Sequence, residues 1–370
     1  LRSFTVRSSF GVDASYNKST SFTPAYTVFN PDGTASQQQN VLSDLFRGSS
    51  DNLNWLWENT VSFRKEFADI HSLDIVAGFT MQESTSEFTS LSGENVLRDG
   101  SDFWYISPSY IYDPANNVNT IQSISNGVDA GLYYSMMSYL FRANYSFNNK
   151  YIATVTFRRD GSSKFTRENR FSNFPSVAFG WNIGNGSFMQ NIDWISKLKL
   201  RASWGIIGKE KINYFDRYAR VQSSIIAVLG NPDSPVPAAT YGKSGNPDLK
   251  WESTTQTDIG AEVGLLANRL TGEFDFYNRV TNDILVELST PGHLGNGQGQ
   301  RVRYNAASVL NRGFEFSLAW REKVGEITYS AGILGSTIHN EVLEIGGNSG
   351  VDSTLDRKST RLNSSHRIRS

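Results

Sequence analysis

Histidine is the residue type here with the most potential to bind a metal ion, but the spacing of the histidines does not support a site. The four are His71, His293, His339 and His366. They lie far apart and form no His-x-x-x-His pattern of the kind that binds zinc. The chain also contains no cysteine, which excludes disulfides and thiolate metal sites. The sequence therefore predicts no metal site and no cofactor.

Catalytic motifs are missing as well. There is no Gly-x-Ser-x-Gly nucleophile turn, and the segment at 161–164 (GSSK) lacks the first glycine and the following helix of a phosphate-binding loop. Glu273 and Asp275 lie two residues apart on one strand face, a pattern that glycosidase carboxylates could share. Acids on the polar face of an amphipathic strand have no need of a catalytic role. We expect a protein that is not an enzyme.

Composition narrows the class further. The net charge is -1 and the aromatic fraction is 13%, with no basic patch between the aromatic residues, so nothing favours nucleic-acid binding. No run of about 18 apolar residues occurs, so no transmembrane helix is predicted.

Long amphipathic strands must position the polar side chains. Tyr139–Phe147 and Tyr151–Phe157 alternate apolar and polar residues around a tight turn at Asn148–Lys150, which predicts a hairpin with one apolar face. About eleven such strands occur along the chain, many of 10 to 15 residues. Strands of soluble sheets have about 5–6 residues, whereas a tilted strand that crosses a bilayer needs about 9–11.

The connections between these strands alternate between short turns and long loops. That order is typical of outer-membrane barrels, which have short periplasmic turns and long extracellular loops. Lipid permits strands only in a closed barrel, because every backbone amide needs a partner. We therefore predict an all-β, transmembrane antiparallel β-barrel surrounded by the lipid of the cell outer membrane. The predicted long loops are residues 17–51, 86–131, 161–173, 208–250 and 284–311.

Five ordered segments between about residues 50 and 345 closely resemble the barrel of SusC/RagA-type TonB-dependent transporters, the nutrient importers of Bacteroidetes outer membranes. The resemblance implies a plugged barrel of about 22 strands, of which this chain would supply about eleven. It also implies import energised by the TonB complex, a SusD-like surface lipoprotein as partner, and an oligosaccharide or peptide substrate. The segments are YSFNNKYIATVTFRRDGSSKF (145–165), NRFSNFPSVAFGWNIG (169–184), ISKLKLRASWGIIG (195–208), GNPDLKWESTTQTDIGAEVGLLANRL (245–270) and NRGFEFSLAWR (311–321).

Several parts of the family pattern are not found in this chain. No plug domain or TonB box precedes the strands, and the family's last strands do not follow them, so we expect a fragment. We assign residues 1–355 to a partial barrel that, alone, neither closes nor transports, which liposome swelling would test. Residues 356–370 have no period and a basic bias, typical of non-native adapter sequence or of a disordered tail.

Substrate contacts, if present in this part, are expected in the long loops, where aromatic rings can stack on sugars. The alternative is that each ring only packs against other loop residues. The candidates are Trp104, Tyr105, Tyr110 and Tyr112.

Charged residues on the polar face form a second candidate set. Either they hydrate the bore and neutralise one another, or some hold the plug domain of the parent chain through paired contacts. In the second case, charge reversal at Arg142 or Arg201 should leave barrel assembly intact and increase single-channel leak. The candidates are Arg64, Arg142, Arg201, Asp258, Glu262, Glu273 and Glu315.

Three functions are open from the residues alone: an energised importer, a passive outer-membrane porin, and a soluble secreted β-rich binding module. The alternation of loops argues against the soluble module. Only the family resemblance separates the importer from the porin.

Overall fold

The computed structural model describes residues 3–96, 98–107, 123–129, 132–186, 189, 192–230, 234–289 and 301–346, and strands make up most of them. Eleven strands form one antiparallel path in the order β1-β2-β3-β5-β6-β7-β8-β11-β12-β13-β14. β4 pairs with β3, and β9 pairs with β10 in a separate two-stranded sheet. The predicted number of long strands is therefore confirmed. The strands are β1 Phe4–Thr23, β2 Asp44–Phe67, β3 His71–Glu94, β4 Ser123–Val128, β5 Tyr134–Phe147, β6 Tyr151–Ser162, β7 Phe171–Asn182, β8 Ile195–Lys209, β9 Arg220–Leu229, β10 Ser234–Lys243, β11 Glu252–Leu265, β12 Leu270–Ser289, β13 Arg301–Val324 and β14 Ile327–Ile345.

Short turns join β2 to β3, β5 to β6, β11 to β12 and β13 to β14. Their central residues adopt positive φ angles, as at Asn148 and Asn149 (both 49°) and at Gly325 (63°). Two successive residues with positive φ match the right-handed twist of the flanking strands, which is why asparagine and glycine are favoured there. The predicted turn at Asn148–Lys150 is confirmed.

Several predicted loop bounds are wrong because the strands continue beyond the amphipathic stretch. β1 extends to Thr23 and β2 begins at Asp44, inside the predicted loop 17–51. β3 likewise extends to Glu94, inside 86–131, and β12 and β13 extend into 284–311. In the extension of β1 polar residues occupy both faces of the strand, whereas in that of β12 the successive residues Ile284, Leu285 and Val286 are all apolar. In both cases the period of two disappears from the sequence while the backbone pairing continues.

The predicted loop 208–250 is also wrong, because it contains the β9–β10 hairpin. Pro235 and Pro237 of β10 lie opposite Val228 and Ile226 of β9. Proline lacks an N–H donor and is confined to edge strands, and both strands of a two-stranded sheet are edges. A 3-10 helix at Tyr214–Arg217 precedes the hairpin.

The described residues divide into two compact units. The first unit contains those of Leu1–Ser9, Trp57–Met81 and Met136–Ser370, and the second contains those of Phe10–Leu56 and Gln82–Ser135. No helix in the described residues is both long and apolar enough to span a membrane.

In the first unit the apolar face of the strands is exposed. Phe141, Val155 and Phe179 are 43%, 47% and 49% exposed. No second sheet covers them within the described residues, so this face is not the core of a sandwich.

Aromatic side chains cluster beside the short turns of the first unit. The rings of Phe67 and His71 stack with their centroids 4.8 Å apart, and His71 Nδ1 lies 2.7 Å from the Tyr145 hydroxyl. Tyr151 stacks on Trp181 at 6.1 Å. Amphipathic aromatic rings of this kind are enriched where a barrel meets the membrane–water boundary.

The apolar core of the first unit lies at its long connections. We call the five buried residues there the loop core, and Phe165 and Leu249 in it are fully buried. Trp251 packs on Phe165 at a ring distance of 5.2 Å and donates its indole N–H to the Arg170 carbonyl at 3.2 Å. The loop core consists of Phe165, Phe174, Ile212, Leu249 and Trp251.

Candidate functional site

Three adjacent strands align the strongest charge cluster on the polar face. In register, Arg201 of β8 lies beside Gly260 of β11, which lies beside Asp275 of β12. The Arg201 guanidinium reaches across the intervening strand, and its Nη2 lies 2.6 Å from Asp275 Oδ2. The side chains of Arg201 and Asp275 are therefore joined although their strands are not neighbours.

Gly260 makes this reach possible. A Cβ atom at position 260 would lie 2.1 Å from Asp275 Oδ1 and 2.6 Å from Arg201 Nε. Any side chain there would displace one partner of the ion pair. The glycine is therefore required for a close approach of side chains and not for a positive φ angle.

Glu262 lies one position further along the same face and is the most enclosed acid of the cluster, at 9% exposure. Its carboxylate contacts Lys197 Nζ at 2.6 Å, Lys199 Nζ at 3.1 Å and Arg201 Nη1 at 3.6 Å. Three cations around one buried carboxylate compensate the cost of removing it from water.

Three further acids close to this cluster lack such close partners. Asp258, Glu273 and Glu315 make no hydrogen bond or ion pair within the part of the chain that the structure describes. Glu273 lies opposite Glu262, and Glu315 lies opposite Asp275. Like charges directly opposite each other destabilise a sheet.

We name this set the charged patch. Its five carboxylates against three cations leave an excess of two negative charges, so it could accept a basic partner. Its members are Lys197, Lys199, Arg201, Asp258, Glu262, Glu273, Asp275 and Glu315.

The structure brings together five of the seven predicted charges and places two elsewhere. Arg201, Asp258, Glu262, Glu273 and Glu315 belong to the charged patch. Arg142 of β5 donates to the Thr156 hydroxyl of β6 at 3.3 Å. Arg64 of β2 pairs with Asp74 of β3 at 2.6 Å. The role of all seven in holding a plug stays a prediction.

Of the four predicted loop aromatics, Tyr110 and Tyr112 lie outside the described residues. The ring of Trp104 stacks on Phe22 at 4.9 Å, and its indole N–H donates to the Asp99 carbonyl at 3.0 Å, which favours packing for this residue. Tyr105 is half exposed and lines a cavity of about 450 Å³ in the second unit. Substrate contact by these aromatics stays a prediction.

Sequence reasoning missed Gly260, the loop core and the ion pairs beside it. Arg303 Nη1 lies 2.8 Å from Asp216 Oδ2, and Asp216 also accepts the Asn213 amide at 2.9 Å. The spacing of Asn213 and Asp216 matches a capping box, and that signal could have located the short helix within the predicted loop.

Known proteins share both the sequence and the fold. Residues 2–367 match the family described as TonB dependent receptor-like, beta-barrel. TonB-dependent receptor P26 of Formosa agariphila is 29% identical over 345 residues, which cover 89% of this chain and 33% of that protein. TonB-dependent receptor SusC of Bacteroides thetaiotaomicron is 34% identical over 220 residues, covering 58% of this chain and 21% of that protein.

A solved structure of the RagAB peptide transporter has the same fold. Its TM-score is 0.75 at 23% identity, and the match covers 93% of this chain and 35% of that one. This chain thus spans about a third or less of the length of these relatives. The predicted family, the all-β barrel class and the outer-membrane location are confirmed. The chain belongs to the TonB-dependent receptor-like β-barrel family of outer-membrane transporters, and it forms part of such a barrel.

Proposed function

We propose that the protein of which this chain is a part is an energised nutrient importer. In it, a plug domain fills the bore, the TonB complex drives transport, and a SusD-like lipoprotein works at the long loops. The relatives named SusC and RagAB support this assignment, and RagAB is described as a peptide transporter. Oligosaccharide or peptide is the substrate class that follows from the resemblance.

The unpaired acids of the charged patch carry the proposal. Glu273 and Glu315 lie directly opposite other carboxylates on the polar face, which is costly unless cations compensate the charge. Arg201 compensates Glu273 in part, through a charge interaction without an ion-pair contact. A plug domain with basic residues would neutralise them. By contrast, Arg201 and Asp275 are already paired with each other at 2.6 Å, and this ion pair joins β8 to β12.

A conductance measurement on the full-length parent in planar bilayers tests the plug contact. The double substitution Glu273→Gln and Glu315→Gln should raise single-channel leak while barrel assembly stays unchanged. Glu326→Gln, in the β13–β14 turn, is the matched control and should leave the leak as it is. Unchanged leak in the double variant would contradict the plug contact.

Uptake in cells with and without TonB tests the importer itself. Substrate uptake should stop when TonB is removed. Uptake that persists at the same rate would identify a passive porin instead.

A further inference from the structure

The pairing of β5, β6 and β7 divides their apolar face into rows of three residues, one from each strand. The first row, beside the β5–β6 turn, is Phe147, Tyr151 and Trp181. Each step of two residues along the strands, away from that turn, gives the next row on the same face. The first four rows contain only apolar or aromatic side chains. The second to fourth rows are Tyr145–Ala153–Phe179, Ala143–Val155–Val177 and Phe141–Phe157–Pro175.

The fifth row is polar. It consists of Tyr139, Arg159 and Asn173, which are all exposed and lie in register on the three strands. Each of these side chains can donate a hydrogen bond. The Tyr139 hydroxyl contacts only a weak acceptor, Met137 Sδ, at 3.7 Å, and Asn173 makes no side-chain hydrogen bond within the described residues. We call these three residues the donor row.

Arg159 carries the only charge on this face of β5, β6 and β7. Stepping in twos along the three strands meets no acidic residue on this face, and Arg159 makes no ion pair or hydrogen bond in the part of the chain that the structure describes. Its guanidinium carbon lies 5.1 Å from the centre of the Phe171 ring. That ring packs directly over Gly161, where a Cβ atom would overlap it. The guanidinium is therefore held in place by an aromatic ring, while its N–H groups have no protein acceptor.

The height of the donor row matches the edge of a membrane. Arg159 follows Tyr151 of the first row by eight residues, which is about 26 Å along a strand. At the tilt of about 40° that is usual in outer-membrane barrels, this is a height of about 20 Å, and the apolar band of such barrels is about 25 Å tall. The first row lies beside a short turn, so the donor row lies at the opposite boundary, towards the long extracellular loops.

We propose that the donor row binds the phosphate of a lipid headgroup in the outer leaflet of the outer membrane. The Arg159 guanidinium would donate charge-assisted hydrogen bonds to the phosphate oxygens, with the Tyr139 hydroxyl and the Asn173 amide as flanking donors. The acyl chains would lie along Phe141 and Phe157 of the fourth row, which are both 43% exposed. This site is on the outside of the barrel and does not depend on the proposed transport function.

Other ligand classes fit this face less well. A neutral sugar would leave the charge of Arg159 without a counter-ion. A soluble anion would pair with Arg159 but would leave the apolar rows next to it uncovered. A protein segment beside lipid would need partners for its own backbone polar groups. A lipid phosphate meets both the positive charge and the apolar rows.

Lipid retention by the full-length parent tests the proposal. The protein is reconstituted with equal amounts of lipid A that carries one phosphate and of the same lipid A without its phosphate, extracted in mild detergent, and analysed for bound lipid by native mass spectrometry. The ratio of phosphorylated to dephosphorylated lipid should fall about fivefold in Arg159→Gln, because an exposed ion pair contributes about that factor. An equal ratio in the parent and in this variant would overturn the proposal.

Two further variants separate the site from a general effect of charge. Arg167→Gln removes the same charge from an exposed position in the β6–β7 connection, and it should leave the ratio unchanged. Arg159→Lys keeps the charge but loses the guanidinium, so it should give a ratio between those of the parent and Arg159→Gln. An equal fall in Arg167→Gln, or an Arg159→Lys ratio as low as that of Arg159→Gln, would contradict the site. Displacement of the lipid by inorganic phosphate would assign the donor row to a soluble anion instead.

Discussion

The regions next to the long connections differ between the two units in how their charged residues are paired. In the first unit they surround a packed core, where Leu249 is fully buried and Asp216 is 3% exposed beside its partner Arg303. In the second unit the ends of β1, β2 and β3 next to these connections border an open cleft. Its lining residues Lys18 of β1 and Asp51 of β2 make no ion pair or hydrogen bond among the described residues. Buried charges are stable only when they are paired, whereas exposed charges are hydrated and can bind a ligand without a protein partner.

This difference indicates two roles for the regions next to the long connections. The first set stabilises the strands from which it extends, and the second set presents a surface that another molecule can complete. Removing a residue from the first set should therefore cost stability, while removing one from the second should change binding more than stability.

The largest expected effect is on the loop core. Leu249→Ala in the full-length parent should lower the free energy of unfolding by about 2–5 kcal/mol, because it leaves a cavity among fully buried side chains. Urea titration of the reconstituted protein measures it. Leu132→Ala is the matched control in the second unit, where the side chain is 47% exposed, and should change stability by less than about 0.5 kcal/mol. Equal effects of the two substitutions would remove the contrast between the units.

The second effect concerns the charged patch. Gly260→Ala should lower the free energy of unfolding by about 1–3 kcal/mol, because the new Cβ occupies the path of the Arg201–Asp275 pair. Gly180 of β7 lies beside Arg201 on the other side, but a Cβ there would meet nothing closer than 3.7 Å. Gly180→Ala is therefore the control, and a loss as large as that of Gly260→Ala would show that the ion pair is not the cause.

A smaller effect is expected in the second unit. Arg47→Ala removes both the contact with the Tyr105 ring and the hydrogen bond to the Trp104 carbonyl, which together are worth about 0.5–1 kcal/mol at an exposed position. Amide hydrogen exchange in residues 101–107 should accelerate accordingly. Lys18→Ala should leave that exchange unchanged. Acceleration by both variants would mean that positive charge near residues 101–107, and not the specific contacts of Arg47, stabilises this loop.

The smallest effect is a pH dependence in the β1–β2 connection. The Thr34 hydroxyl and amide donate to Asp32 Oδ1 at 2.6 Å and 2.9 Å, and these bonds lower the pKa of Asp32 below its ordinary 3.8. A lowered pKa means that the turn gains stability above the ordinary pKa and loses it as the pH falls through the lowered one. Protection of the Thr34 amide should fall over that window in the native protein, and less so in Thr34→Val. Protection that rises on acidification would contradict the assignment.

The amphipathic strands could be predicted from the sequence because one face of each strand is apolar and the other polar, which gives alternating residue types along the chain. Alternation in 139–157 gave the β5–β6 hairpin and its Asn148–Asn149 turn correctly. The strand extensions into the predicted loops could not be predicted. In β1, for example, the successive residues Lys18 and Ser19 lie on opposite faces and are both polar, so the sequence shows no alternation there. The β9–β10 hairpin was predicted as a loop because it contains prolines, and proline ordinarily interrupts a central strand.

The candidate sites depend on register between strands that are far apart in sequence. The alternation of polar and apolar residues predicted that Arg201 and Glu262 lie on the polar face. Only the pairing of β8, β11 and β12 shows that Arg201 reaches Asp275 across Gly260. The cleft of the second unit needs the same information for β1, β2 and β3. The alternation of residues along one strand does not reveal the register between strands.

In the barrel to which this chain belongs, lipid contacts one face of the strands and the other face encloses the bore. Val155 and Thr156 of β6 are successive residues on opposite faces, and this chain has no native cysteine. Spin labels at Val155→Cys and Thr156→Cys, each in the full-length parent in membranes, can be compared by relaxation with oxygen and with a water-soluble nickel chelate. The account predicts that the label at 155 is relaxed strongly by oxygen and the label at 156 is not. Strong oxygen relaxation at 156 with strong nickel relaxation at 155 would contradict it.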